Sequence, residues 1–242
     1  MIRHHFELRE TIATILAERQ EHLDAACEAL RTARHDVERT IAREPFFQAT
    51  FEPFRPQRGG KTVLRMAGAA ESAGVGPMAA VAGAIAWAGV EAMVGAGARF
   101  GVIDNGGDIA LVSDREVRVG LHAGDAPVSD RFAFVVPPCE QILGICTSSA
   151  TVGPSISFGI ADAVTVFSPD VALADAWATA VCNRITPDDQ SVLDCLDPAG
   201  VTGLLAIIGE WTCSWGSVPR LVRAEVDEEL ITAGYGRLLG NG

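Results

Sequence analysis

The sequence predicts an α+β fold, and three observations support that prediction. Residues 99–121 alternate short β-type runs with tight turns, which is typical of strands joined by hairpins. Residues 7–43 and 75–98 are long and rich in Ala, with the composition of helices rather than strands. Hairpin-linked strands combined with long helices define an α+β protein.

Residues 7–43 are predicted to form one long amphipathic helix or a pair of helices. Apolar side chains recur near a helical period, and Pro45 ends the segment. The charges between the apolar positions are mixed in sign, which indicates a solvated outer face rather than a basic membrane-binding one.

Residues 75–98 are predicted to form a helix of small residues. Pro77 suits the first helical position, because its missing N–H has no intrahelical partner there. Glu91 is the only formal charge in this stretch, which is long enough to cross a bilayer. Ala and Gly contribute little to transfer into hydrocarbon, and Glu91 would cost about 3 kcal/mol inside it. We therefore predict a buried helix of a soluble protein, with a membrane span as the alternative.

The remaining strands are predicted from apolar and β-branched runs at residues 99–104, 109–113, 116–121, 132–136, 163–167 and 204–208. A run of hydroxyl side chains at residues 147–151 follows the apolar residues 142–145. Ser168, Pro169 and Asp170 then form a helix start signal for an Ala-rich helix.

The composition restricts the function. The chain has 19 basic and 31 acidic residues among 242, for a net charge of −12, which argues against nucleic acid or an anionic membrane as a partner. The negative charge of a phosphate-bearing ligand would then need local compensation from backbone amides, Mg²⁺ or a nearby Arg or Lys. Six cysteines show neither a C-x-x-C pair nor zinc-like spacing with the histidines, which predicts reduced, mostly buried thiols. The first residues lack an apolar signal region, so we expect a cytoplasmic protein.

Residues 104–108 read D-N-G-G-D and are the first candidate for a binding site. The glycines permit positive φ and close approach of a ligand to the backbone, and Asp108 adds a carboxylate. The alternative is an ordinary hairpin turn, because Asn-Gly between apolar runs needs no ligand.

Asp175 and Thr179 are the second candidate. They lie four residues apart in a predicted helix, so the carboxylate and the hydroxyl share one face and can converge on one cation. Oxygen-only ligation favours Mg²⁺ over zinc. The alternative is a helix whose Asp interacts with the helix dipole and whose Thr bonds to a backbone carbonyl.

Several motifs together resemble the ApbE-like flavin transferases, which move FMN from FAD onto a Thr or Ser hydroxyl of a partner protein. Residues 105–109, N-G-G-D-I, resemble the family's N-x-G-G-D-I signature. The later motifs stand in the same order as in the family. They are T-S-S at 147–149, A-V-T-V at 163–166 and A-D-A-W-A-T-A at 174–180. The resemblance covers roughly residues 75–185.

The resemblance implies a tunnelling-type (T-fold) antiparallel sheet covered by long helices, in a single domain spanning residues 1–242 with an N-terminal helical extension at about 7–43. It also implies FAD as substrate or ligand, and Mg²⁺ held by Asp175 and Thr179 with a backbone carbonyl near Cys146. Asp108 would lie close to the flavin and its pyrophosphate. The candidate cofactor-binding residues are Asn105, Gly106, Gly107, Asp108, Thr147 and Ser148.

The sequence departs from the family in two places. Residues 155–162 lack the His that the family carries before the V-T-V strand, and Asp162 is the candidate general base in its place, with a structural role as the alternative. Ser149 replaces the Gly of T-S-G. These departures place the chain in a distinct branch of the superfamily.

Three functions follow from these observations. The first is a divergent Mg²⁺-dependent flavin transferase or pyrophosphate hydrolase, acting with or without a protein acceptor. The second is a flavin or nucleotide sensor that binds without turnover, and the third is a structural protein with no ligand. The apolar small-residue helices are also compatible with a homo-oligomer.

Overall fold

The computed structural model describes residues 1–151, 159–197 and 199–224. Its strands are Ile2–Leu8 (β1), Thr11–Ala17 (β2), Gly101–Asn105 (β3), Asp108–Ser113 (β4), Val117–Gly120 (β5), Phe132–Val136 (β6), Cys139–Ser148 (β7), Ala163–Ser168 (β8), Gly203–Ile208 (β9), Trp211–Gly216 (β10) and Arg220–Arg223 (β11). Its α-helices are Gln20–Arg43 (α1), Phe46–Ala49 (α2), Lys61–Ala73 (α3), Val81–Gly95 (α4) and Val171–Cys182 (α5). Pro77–Ala80 and Ser191–Cys195 form 3-10 helices.

Two antiparallel sheets organise the chain. The larger sheet has the strand order β1-β2-β3-β4-β7-β8-β9-β10, and the smaller one has the order β11-β6-β5. The helices cover one face of the larger sheet, where Ile15, Ile103 and Val166 contribute to the main core. The other face packs on the smaller sheet through a second core, in which the rings of Phe134 and Phe167 lie 5.0 Å apart. This arrangement confirms the α+β prediction.

The predicted meander is present, and its register positions the candidate site. Asn105 pairs with Asp108 at the end of the β3–β4 hairpin, and Asp108 pairs in turn with Cys146 of β7. Cys146 then pairs with Val166 of β8. Gly106 and Gly107 make the turn with φ of 70° and 99°, which explains why both positions carry glycine.

The N-terminal segment corrects the prediction of a helical extension at residues 7–43. Residues 2–17 form the β1–β2 hairpin, and β2 joins the central sheet by pairing with β3. The helix begins only at Gln20. Residues 11–17 alternate buried and half-buried side chains, so the spacing of Ile12, Ile15 and Leu16 that suggested a helical period belongs to a strand.

The caps of the two apolar helices agree with the sequence. Pro77 occupies the first turn, although this turn is a 3-10 helix that precedes α4. The Asp170 carboxylate accepts a 2.9 Å hydrogen bond from the Leu173 backbone N–H and so caps α5.

Pro77–Gly95 is the one helical stretch among the described residues that is long and apolar enough to cross a membrane, with a mean hydropathy of 1.6. Its Glu91 forms ion pairs with Lys61 and Arg65 of α3, and the Arg65 guanidinium lies 3.5 Å from the centre of the Trp87 ring. Buried side chains from α4 enter the main core beside α1 and α5. These contacts are those of a core helix.

Candidate functional site

Asp175 lies in the middle of α5 with its carboxylate directed at the start of α4. Its Oδ2 atom accepts a 2.8 Å hydrogen bond from the Gly83 backbone N–H. Burial raises the pKa of this carboxyl to about 7, and the backbone N–H groups of Gly83 and Ala82 counteract part of the effect. Asp175 therefore titrates close to neutral pH in the absence of a cation.

Asp108 is the second buried carboxyl of the site. Burial raises its pKa well above the ordinary value, and the charges of Asp175 and Asp104 raise it further. The Cys146 thiol and the Thr147 backbone N–H stabilise the charged form and lower the pKa in part. Its Oδ1 atom is buried and has no hydrogen-bond partner in the described part of the chain. A buried oxygen in this state favours a proton or a cation beside it.

The start of α4 connects the β3–β4 hairpin to α5. The Asn105 side-chain amide donates a 3.0 Å hydrogen bond to the Ala82 carbonyl oxygen. One residue later, a Cβ atom on Gly83 would lie 2.8 Å from the Val171 carbonyl oxygen and 2.9 Å from Asp175 Cβ. Gly83 thus permits the close approach that brings Asp175 to the hairpin.

The hairpin turn has a further internal bond. The Gly107 backbone N–H donates a 2.9 Å hydrogen bond to Asp104 Oδ1. Asp104 therefore fixes the turn that presents Asp108, and its charge acts on the Asp108 carboxyl. The predicted residues Gly106 and Gly107 contribute backbone rather than side chains to the site.

The remaining candidates differ in their placement. Thr179 is half-buried and lies one turn after Asp175 in α5. The Thr147 hydroxyl lies 2.9 Å from the Thr165 hydroxyl. Both side chains point toward the smaller sheet, because Ile145 and Phe167, each two residues away on the same strand face, belong to the core beneath that sheet. The half-buried Ser148 follows, and alternation places its side chain on the Cys146 side of β7.

Asp162 lies away from the carboxylate pair. Its Oδ2 atom accepts a 2.7 Å hydrogen bond from the Gly209 backbone N–H, and Oδ1 accepts a 3.2 Å bond from the Thr151 hydroxyl. Val166 pairs with Cys146, and Asp162 lies four residues before Val166, which is about 13 Å of extended chain. In this position Asp162 caps the β9–β10 turn. Residues 152–158, which include the first half of the 155–162 segment without the family His, lie outside the described residues.

Two contributors to the site escaped the sequence analysis. The N–H groups of Ala82 and Gly83 belong to a helix that the sequence indicated only as small and closely packed. The Cys146 thiol adjoins Asp108, and burial, together with the nearby carboxyls of Asp108 and Asp175, raises its pKa well above the ordinary value. The register of β4 against β7 is the only signal for that contact, and it is not local.

The candidate ligand atoms of this site are of the type that a hard cation such as Mg²⁺ prefers. Asp175, Asp108 and Thr179 offer oxygen atoms only, and Asp108 Oδ1 has an unfilled acceptor position. The described residues contain no group of three or more His, Cys, Asp and Glu side chains that could hold a metal. A cation here would therefore need hydroxyl, carbonyl or ligand oxygens in addition to the carboxylates.

An eight-stranded antiparallel sheet with helices on one face is the fold of an ApbE-like protein. A family model described as "AbpE bacteria" matches residues 2–197, and the chain belongs to that family. The UPF0280 protein of Methanoculleus marisnigri is 65% identical to this chain over 98% of its length and 100% of the relative. The UPF0280 protein of Methanoregula boonei is 64% identical over 97% and 99%, respectively.

Solved structures confirm the predicted ApbE-like fold. The apo form of the flavinyl transferase ApbE from Pseudomonas stutzeri matches with a TM-score of 0.52 and 14% identity, covering 96% of this chain and 97% of that one. The ApbE protein of Thermotoga maritima matches with a TM-score of 0.56 and 11% identity, covering 93% and 97%. Sequence identities this low show likeness of fold alone.

Proposed function

We propose that this chain is a divergent Mg²⁺-dependent protein that binds the flavin nucleotide FAD. The observation that carries this proposal is the buried Asp108–Asp175 pair, whose ionisation is disfavoured and in which Asp108 Oδ1 has no partner among the described residues. Two neighbouring buried carboxyls are costly unless a proton or a cation joins them. A structural role alone gives no reason to keep both.

Asp175 and Thr179 would hold Mg²⁺, with Asp108 and a backbone carbonyl of β7 nearby. When bound, Mg²⁺ would offset the negative charge of a pyrophosphate in a protein whose net charge is −12. The Gly106–Gly107 backbone leaves room for a ligand at the turn, because neither residue carries a side chain and nothing lies within 4 Å of a Cβ built on Gly106. Asn105 fixes the helix that carries the Gly83 N–H, and so orients Asp175.

Two activities are compatible with this binding. In the first, the chain transfers FMN from FAD to a hydroxyl of a protein acceptor, with AMP as the leaving group, or hydrolyses the FAD pyrophosphate to FMN and AMP. Asp162 would accept the proton of the attacking hydroxyl or water. In the second, it binds flavin or another nucleotide without turnover, as a sensor or carrier. The position of Asp162 favours the second, because both carboxylate oxygens already accept hydrogen bonds that fix turns.

Product analysis separates these two activities. Purified protein is incubated with FAD, with and without Mg²⁺, and the mixture is analysed for FMN and AMP. Metal-dependent binding without products would favour the sensor, and formation of FMN and AMP would favour the enzyme. Absence of FAD binding at any Mg²⁺ concentration would contradict the proposal. Asp125→Asn, at an exposed loop position, is a control for charge removal.

The proposed setting is the cytoplasm, with a small-molecule ligand and no nucleic acid or membrane partner. The acidic balance of the chain supports this setting, because it disfavours polyanionic surfaces.

A further inference from the structure

The Ala82–Gly83 peptide group, in the first turn of α4, is hydrogen-bonded at both ends. Its carbonyl oxygen accepts a 3.0 Å bond from the Asn105 side-chain amide, and its N–H donates a 2.8 Å bond to Asp175 Oδ2. The carbonyl of one residue and the N–H of the next belong to the same peptide plane. One chain of hydrogen bonds therefore runs from the β3–β4 hairpin to the middle of α5.

The groups of this chain are buried. Asn105 is 6% exposed, Asp175 is 7% exposed, and Gly83 is also buried. Asn105 lies on the helix-facing side of the sheet, because Ile103, two residues earlier in β3, belongs to the main core. Hydrogen bonds are stronger in such surroundings, and neighbouring bonds of a chain polarise one another. The bond from Asn105 to Ala82 therefore strengthens the bond from Gly83 to Asp175.

Asp175 is held by the first turn of α4. The Ala82 N–H is a second donor to its carboxylate, beside the Gly83 N–H. The partial positive charge of a helix N-terminus adds to this attraction. A Cβ atom on Gly83 would lie 2.9 Å from Asp175 Cβ, so the two helices touch at this point. The orientation of the carboxylate therefore depends on where the first turn of α4 lies.

We propose that Asn105 is a positioning residue for the candidate Mg²⁺ ligand Asp175, acting through the Ala82–Gly83 peptide and not through contact with the nucleotide. This role rests on the proposed function, because Asp175 acts as a ligand only when a cation binds. The sequence motif groups Asn105 with the glycines of the turn. Its amide nitrogen is nevertheless directed at the Ala82 carbonyl oxygen, whereas open space surrounds the Cβ position of Gly106.

Nuclear magnetic resonance observes both ends of this peptide in metal-free protein. Labelling with ¹³C-carbonyl alanine and ¹⁵N-glycine restricts the spectrum to alanine–glycine peptides, among them Ala82–Gly83. Asn105→Leu removes the amide donor and keeps a branch at Cγ. We expect the Ala82 carbonyl carbon to move upfield because it loses its donor, and the Gly83 amide proton to move upfield because its bond to Asp175 weakens. An unchanged Gly83 amide proton would overturn the proposal.

A double-mutant cycle in chelator measures the coupling between the two side chains. Asn105→Leu should lower the folding equilibrium constant about threefold or more further in the parent than in Asp175→Asn, by urea denaturation at about pH 8. Asn105→Ala repeats the cycle in case leucine overpacks the site. Thr40→Val is the matched control, because the buried Thr40 hydroxyl also donates to a backbone carbonyl, that of Asp36 at 3.0 Å. Its effect should be the same in both backgrounds, and the same result for Asn105→Leu would contradict the coupling.

FAD binding separates this role from the proposed function. With Mg²⁺, Asn105→Leu should weaken FAD binding about tenfold, as is usual when a group that orients a metal ligand is removed. In chelator the variant should bind FAD like the parent. An equal loss in both conditions would show that Asn105 contacts the nucleotide, against the proposal. If the parent binds no FAD, the proposed function fails, and the resonance shifts and the cycle still test whether Asn105 positions Asp175.

Discussion

The Asp175 carboxylate and the Gly83 backbone N–H, 92 positions apart in the chain, form a buried hydrogen bond of 2.8 Å. This bond joins the middle of α5 to the first turn of α4, and α4 is bound in turn to the β3–β4 hairpin through Asn105. The position of the candidate metal ligand therefore depends on how closely two apolar helices approach.

Gly83→Ala tests that approach. The added Cβ would lie 2.8 Å from the Val171 carbonyl oxygen, so the helices must move apart. We expect a loss of about 2–3 kcal/mol in the free energy of unfolding, measured by urea denaturation. Gly68→Ala in α3 is the control, because nothing lies within 4 Å of its Cβ and alanine should stabilise that helix by about 0.5–1 kcal/mol. Equal effects at both positions would show that the α4–α5 contact is not tight.

Asp175→Asn tests the burial of the carboxyl in metal-free protein. Because the pKa of Asp175 is raised to about 7, the folded chain binds more protons than the unfolded chain between about pH 4 and 7. The free energy of unfolding should therefore fall as pH rises through that range. The variant should lose much of this decline and exceed the parent at about pH 8 by on the order of 2 kcal/mol in chelator. Parallel pH curves for parent and variant would contradict the burial of an ionisable Asp175.

Mg²⁺ should stabilise the parent protein against heat. A cation that binds only the folded chain adds about 2.7 kcal/mol when its concentration is a hundred times its dissociation constant. Asp175→Asn and Asp108→Asn should each abolish most of the rise in melting temperature, whereas Asp125→Asn should retain it. Calorimetry with Mg²⁺ and with chelator makes the comparison. An equal rise in all four proteins would place the Mg²⁺ effect elsewhere.

Asp162→Ala tests whether Asp162 stabilises the β9–β10 turn or acts as a general base. The substitution removes the acceptor for the Gly209 N–H and the Thr151 hydroxyl, so the free energy of unfolding should fall by about 1–2 kcal/mol. FAD affinity should change little, because Asp162 lies four residues before Val166, the β8 residue nearest Asp108 in the sheet register. Asp162→Asn, which keeps one carbonyl acceptor, serves as the second variant in a turnover assay. Loss of turnover with unchanged stability in that variant would show that Asp162 is a base.

The sequence was sufficient for the parts of the fold with local signals. Asn-Gly and Gly-Gly turns, β-branched runs and the Asp170 cap predicted the β3–β4 hairpin, β8 and the start of α5. The β1–β2 hairpin had no such signal, because its turn contains Arg9 at φ 55° where a hairpin usually carries Asn or Gly. From sequence alone, its alternating apolar residues therefore resemble a continuation of the helix that follows.

The candidate site was predicted only in part for a similar reason. Motifs indicated Asp108 and Asp175 separately, but their proximity depends on strand register and on helix packing at Gly83, which sequence spacing does not define. The sequence indicates Asp162 only through its place in the motif order. Its hydrogen bond to Gly209, 47 positions later, became visible only in the folded chain.

The most direct test of the account is a titration of FAD into parent protein and Asp175→Asn, with Mg²⁺ or with chelator, followed by flavin fluorescence. We expect saturable binding to the parent that weakens at least tenfold in chelator, and weak binding to the variant in both conditions. Binding of equal strength to parent and variant, or binding indifferent to Mg²⁺, would contradict a metal-assisted flavin site at Asp175.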